Sequence, residues 1–191
     1  MSDGEAGTSA TSGLSGLEAL LKTQAGDRLP PVERWNPPYC GDIGMAIRRD
    51  GTWTYQNSPI GRKPLVRLFS RVLRRDADDR FYLVTPVEKV DVAVEDAPFL
   101  AVEMEVSGNG PEQALVFRTN VDDVVACGPG HPLRFETEAG SGGLKPYLLV
   151  RGRLEALVTR ALYYDLVELA ITDDTGRLGI WSHGHFYVME G

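Results

Sequence analysis

The 191-residue chain carries 27 Asp and Glu against 20 Lys and Arg, a formal charge of -7 that disfavours nucleic-acid binding through net field alone. Its apolar fraction of 42% is that of a globular protein able to bury a real core in one or two domains. Residues 1–20 lack a basic start and a long apolar run, so neither a signal peptide nor a membrane span is expected, and the chain is placed in the cytoplasm. Cys40 and Cys127 offer no disulfide framework or zinc-knuckle spacing, which suits a reducing compartment.

Residues 1–13, rich in Ser, Gly, Ala and Thr, read as a disordered lead. Leu14, Leu17, Leu20 and Leu21 then fall at helical spacing and predict a short amphipathic helix lying on its own domain or on a twin subunit. The proline-rich run 29–42 is expected to be extended and to wrap the domain. Ile43, Met45 and Ile47 alternate, as do Trp53 and Tyr55, and Asp50-Gly51 between them predicts an antiparallel pair joined by a tight turn.

Pro64 opens a predicted helix over 64–75 with Leu65, Leu68, Phe69, Val72 and Leu73 as its apolar stripe. Arg67, Arg71, Arg74 and Arg75, behind Arg62 and Lys63, form the one strong basic cluster, a face able to meet an anionic partner or to lie solvated and salt-bridged. Residues 81–85 predict a strand. In the run 85–99, Val90, Val92 and Val94 share one face and Asp91, Ala93 and Glu95 the other, which fits a charged edge strand or a polar working surface.

Strands are predicted over 99–106 and 114–119, with shorter ones at 134–137 and 146–150 around the glycine-rich loop 139–143. That loop has neither a phosphate cradle of the GxxxxGK[ST] kind nor a complete GxGxxG. Apolar residues at three- and four-residue intervals predict a second helix over 154–169, followed by strands at 178–181 and 186–189. The expected fold is α+β, two small mixed domains with mostly antiparallel sheets: a lead over 1–30, a first domain over 31–86 and a β-rich second domain over 87–191.

His183 and His185 bracket Gly184, and an extended stretch would point both the same way, towards a metal that Cys127 and His131 could also reach. Exposure of the histidines at a turn, with Cys127 buried, is the competing reading. Ser182 and Cys40 lack the context of an activated nucleophile.

Asn36-Pro37, Cys40-Gly41-Asp42, Asp50-Gly51-Thr52-Trp53, Ser58-Pro59-Ile60, the 65–73 helix, 82–89, 94–99 and Tyr163-Tyr164 follow one another in an order that resembles the bacterial domain-of-unknown-function family 1285 (DUF1285) over about 35–190. The resemblance implies a compact two-domain α+β protein without established enzymatic activity and with a role in regulation or signal transduction. It carries over a surface of Asp42, Asp50, Trp53, Arg62, Glu88, Lys89, Glu95 and Asp96, and no catalytic set. Ser182-His183-Gly184-His185 departs from the family's Ser-Gly-Gly turn, so a metal site there would not be a family property.

The expected function is therefore a binding or regulatory protein for a small molecule or protein segment, with no cofactor, nucleic acid or membrane; a homodimer is compatible with the sequence, though no heptad repeat or seam specifies one. Trp53 and Tyr55 would supply apolar contact in a groove between the first domain and the following sheet, with Arg62, Lys89, Glu88 and Asp96 as orienting charges. The alternative is a metal-assisted hydrolase built on Asp42, Glu88, Glu95, Asp96, His183 and His185.

Overall fold

The structure is a computed structural model that describes Leu17, Ala19, Leu21, Lys22 and residues 28–190. The expected disordered lead, and Leu14 and Leu20 of the expected first helix, lie outside the described residues. Leu17 and Leu21 are helical and buried while Ala19 and Lys22 are exposed, the pattern of a helix with one face against protein.

The chain divides into two compact units, the first comprising residues 1–48 and 52–95 and the second 49–51 and 96–191. A division at 86/87 was expected. It falls later because the strand after residue 88 completes the first sheet.

In the first unit β1 (Tyr39–Ile47), β2 (Trp53–Tyr55) and β3 (Ser58–Pro59) run outward, helix α1 (Lys63–Arg71) follows, and β4 (Leu73–Arg75), β5 (Phe81–Val84) and β6 (Lys89–Val94) return. The sheet order is β3-β2-β1-β6-β5-β4, parallel only at β1–β6. β6 is thus central, not the charged edge strand expected, and Val90, Asp91 and Val92 are consecutively buried. The predicted β1–β2 turn is present: Arg48 N donates to Thr52 O at 2.9 Å, and Gly51 takes the φ of +82° that such a short loop needs. Gly41 and Gly44, also at positive φ, sit where the β1–β6 register slips, as bulge glycines do.

The predicted helix over 64–75 stops at Arg71. Leu73, Arg74 and Arg75 instead pair with Leu83, Tyr82 and Phe81 as a strand. The arginines that formed one helical face in the sequence reading are thereby separated: Arg67 is exposed on α1 and Arg74 is buried. Arg74 donates through Nη1 to Val32 O at 2.7 Å and Trp35 O at 2.8 Å, and through Nε to Asp76 at 2.5 Å, fastening the proline-rich segment to the sheet. Phe69 and Trp53 stack at 6.2 Å in the core beneath α1, with Leu65, Leu73 and Leu83 also buried.

The second unit repeats the strand order. β7 (Phe99–Ser107), β8 (Ala114–Thr119) and β9 (Val124–Ala126) run outward, and β10 (Leu133–Thr137), β11 (Leu144–Arg151) and β12 (Leu154–Val158) return, giving β10-β11-β12-β7-β8-β9 with β7–β12 the parallel pair. Numbered within each unit, both sheets read 3-2-1-6-5-4. Helix α2 (Arg160–Glu168) and a small antiparallel sheet of β13 (Ile171–Thr172), β14 (Leu178–Ser182) and β15 (His185–Val188) complete the unit.

The helix predicted over 154–169 is therefore a strand followed by a shorter helix. Leu154, Ala156 and Val158 are buried and Glu155 and Leu157 are partly exposed, an alternation that the apolar Leu157 disguised as helical spacing. The fold is otherwise the α+β, mostly antiparallel arrangement expected.

Replacing Arg74 leaves two carbonyls and Asp76 without their donor, so Arg74→Met is expected to lower unfolding free energy by about 3 kcal/mol in urea denaturation. A loss under about 1 kcal/mol, the range of a surface pair, contradicts the fastening role.

Candidate functional site

The residues expected to form one surface separate between the units, with Asp50 and Asp96 in the second and the others in the first. Asp42 is exposed and its Oδ1 accepts from Gly44 N at 2.7 Å, bracing the bulged strand. Trp53 is a core residue, 1% exposed, and Tyr55 is half-buried on β2. Glu88 belongs to a turn in which its own N–H donates to Thr85 Oγ1 at 3.1 Å and its carbonyl accepts from Thr85 N. Glu95 is exposed, and its N–H closes β6 onto Ile47 O at 3.0 Å. Arg62 is the N-cap of α1 and, with Lys63, Pro64, Leu68 and Lys22, lines an opening of about 550 Å³.

Lys89 joins a polar cluster built on β5, β6 and the 76–80 turn. Its Nζ donates to Asp76 Oδ2 at 3.0 Å and lies 4.4 Å from the Tyr82 ring centroid. Tyr82 donates to Asp78 at 2.6 Å, Arg80 donates to Asp91 at 2.6 Å, and Tyr39 donates to the other Asp91 oxygen. Asp91 was assigned to the polar face of an edge strand; the strand is central, and although Ala93 and Glu95 on that face are exposed, the Tyr39 and Arg80 side chains lie on the Asp91 carboxylate, which is buried and requires both donors. The hydrogen bond to Asp78, with burial, pushes the Tyr82 hydroxyl up to about 12. Burial pushes the Asp76 carboxyl up, but hydrogen bonds from Arg74 and Lys89 outweigh it and hold it below its ordinary value. The cluster contains Arg74, Arg80 and Lys89 with Asp76, Asp78 and Asp91, so its charges balance internally.

Asp96 leads into the second unit, its side chain only 8% exposed. One oxygen accepts from Tyr147 Oη at 2.7 Å, the other from Lys145 Nζ, and Arg49 Nε lies 3.8 Å away. Burial alone would lower the Lys145 ammonium, yet its hydrogen bonds to Asp96 and Tyr147 raise it, so the charge is kept.

Lys145 and Arg49 belong to the wall of a second cavity of about 550 Å³, contained in the second unit. β11 and β12 supply an apolar floor of Leu144, Pro146, Leu157 and Val158. α2 contributes Arg160, Tyr163 and Tyr164, with Arg160 Nε donating to Tyr164 Oη at 3.1 Å. The glycine-rich loop forms the rim, where Ser141 Oγ donates to Glu138 at 2.7 Å. Sequence reasoning named Asp96 but missed Lys145, Arg160 and the tyrosine pair as wall residues. The Tyr163-Tyr164 doublet at the start of a helix was the available signal, obscured by reading one long helix from 154.

The histidines follow the turn reading and not the metal-binding one: His183 and His185 are exposed at a turn and Cys127 is buried. Ser182 and His185 are paired strand ends, and His183 and Gly184 form the two-residue turn between β14 and β15, both at positive φ as a type I′ hairpin requires. His183 Nδ1 lies 2.8 Å from Cys127 O, and His131 Nδ1 lies 3.1 Å from Leu149 O. Among the described residues no three of His, Cys, Asp and Glu gather in a metal-holding group. Ser182 Oγ donates to Cys127 O at 2.7 Å and accepts from Leu115 N at 3.0 Å, a structural role in the core. Burial pushes the Cys127 thiol up to about 11, which makes it inert, whereas Cys40 is exposed.

Two family models match the chain. Residues 30–97 match the DUF1285 N-terminal domain, a domain of unknown function, and residues 98–189 match the DUF1285 C-terminal domain, a protein of unknown function. The chain belongs to the DUF1285 family. A crystal structure of a DUF1285 family protein from Silicibacter pomeroyi DSS-3 is similar at 48% identity and a TM-score of 0.84, covering 91% of this chain and 94% of that one. One from Shewanella baltica OS155 is similar at 29% identity and a TM-score of 0.52, covering 66% of this chain and 91% of that one. No curated protein matches the chain. Within the DUF1285 chain described here, no helix among the described residues is long and apolar enough to cross a membrane.

Two measurements test these environments. A thiol reagent at pH 8 should modify one cysteine of the native protein, Cys40, and both in denaturant; fast native modification of Cys127 contradicts its burial. Because the folded-state Tyr82 hydroxyl titrates above its ordinary value of 10.0, the stability it supplies is present below pH 10 and lost as pH rises through about 12. The stability difference between wild type and Tyr82→Phe should therefore shrink over that range, and a difference independent of pH contradicts the Asp78 hydrogen bond.

Proposed function

We propose that this DUF1285 protein is a ligand-binding regulatory protein that takes a small molecule in the cavity of its second unit. One observation carries the reading: a concavity of about 550 Å³ whose floor is apolar and whose rim sets Arg49, Lys145 and Arg160 on three separate chain segments. That size is within the range of small-molecule sites, and few, fixed polar groups over an apolar floor are how such sites orient a ligand. The rigid parts are the strand pair β11–β12 and the Asp96 contacts that hold Lys145, so the site is preformed and binding orders little of it.

Occupancy is the output in this reading, in keeping with a role in signal transduction. The metal-assisted hydrolase gains no support from the histidine turn.

Native mass spectrometry of the protein purified without chelator, compared with its denatured mass, tests the proposal. The expected result is a non-covalent mass excess on wild type that is absent from Leu157→Trp, which fills the floor. A bare chain mass for wild type, or an excess that Leu157→Trp retains, overturns it.

A further inference from the structure

We infer that the ligand of the second-unit cavity is a monovalent organic anion with an apolar body, a carboxylate or sulfonate on a hydrocarbon or aromatic frame; this deepens the proposed function and rests on it. Arg49, Lys145 and Arg160 line the cavity, against Glu138 as the one lining carboxylate. Lys145 and Arg49 already lie against Asp96, whereas Arg160 hydrogen-bonds the neutral Tyr164 hydroxyl, so Arg160 is the charge that the cavity presents to a ligand. A polyphosphate would bring more negative charge than the wall can balance, and a cation would meet like charge.

The apolar part of the argument is equally specific. Pro146, Leu157 and Val158 face the space from adjacent strands, and the Tyr163 and Tyr164 rings, 6.0 Å apart and tilted by 52°, stand beside it. A fully hydrated anion would leave this surface wet. An acid with a hydrocarbon or aryl frame covers it and places its charged end at the arginine rim, where planar guanidinium groups meet a planar carboxylate. Arg160 is the group that discriminates charge: its Nε is held by Tyr164 Oη, which fixes the guanidinium at the mouth without neutralising it.

The test uses the full chain and two fluorescent probes, the anionic anilinonaphthalene sulfonate and the neutral phenylnaphthylamine. The sulfonate should bind saturably at one site per chain, be displaced by decanoate and not by decanol, and bind about 10-fold more weakly to Arg160→Gln or Arg160→Met at unchanged thermal midpoint. Leu157→Trp or Leu144→Trp should abolish that binding. Equal binding of both probes, indifferent to the arginine variants but lost on filling the cavity, overturns the anionic class and leaves the cavity as a binding site. Saturable binding that survives both filling variants, or none of either probe, overturns the class and the cavity reading together.

Discussion

Each sheet depends on one parallel pairing, that of its first strand with its sixth. In the first unit Glu95 N closes β6 on Ile47 O, and in the second Thr159 N closes β12 on Ala101 O at 3.1 Å. Antiparallel hairpins build outward from β1 or β7 and return through three more strands, and only the last of these can dock beside the first. Closure puts the sixth strand in the middle of the sheet, with a hydrogen-bonded neighbour on either side. That is why Asp91 is buried and held by Arg80 and Tyr39, and why Leu154, Ala156 and Val158 form the apolar side of β12. It also sets where α2 starts: the helix leaves directly from the closed end of β12, so Arg160, Tyr163 and Tyr164 stand over the floor that β11 and β12 provide.

Buried charge is handled differently in the two units. The first unit gathers balanced acids and bases into a cluster of short hydrogen bonds, which gives the sheet one arrangement and leaves little for an external ion. In the second unit Asp96 is the buried acid, and it shares Lys145 and Arg49 with an open cavity. A buried carboxylate must be paired or protonated. Its pairing therefore fixes Lys145 at the wall whether or not a ligand is present, which is the physical basis for regarding the cavity as prepared for binding.

Much of the fold was legible because local signals and tertiary structure agreed. The Asp50-Gly51 turn, the alternation through Met45 and Ile47 and the strand from Ala114 to Thr119 are elements whose own residues specify them. The failures share a cause. Leu73 to Arg75 and Leu154 to Val158 both adjoin helices and carry apolar residues at spacings that satisfy either period, so only the pairing partner decides. Val124 to Ala126 gave no strand signal of its own and is one through β8. The repeated strand order was invisible because the units share topology without an evident sequence repeat. Of the site, Asp96 was named through the family resemblance, whereas Lys145 and Arg160 are ordinary surface-type residues until sheet and helix bring them together. Trp53 looked like a ligand contact and serves the core.

The central claim is that the working surface is the cavity of the second unit, and nitrogen–proton correlation NMR of the full chain during titration with anilinonaphthalene sulfonate tests it most directly. The account predicts shifts concentrated at the backbone amides of Lys145, Leu157, Val158, Arg160 and Tyr163, saturating together. Shifts centred on Arg62, Lys63 and Leu68 of the first unit, or scattered without saturation, would contradict it.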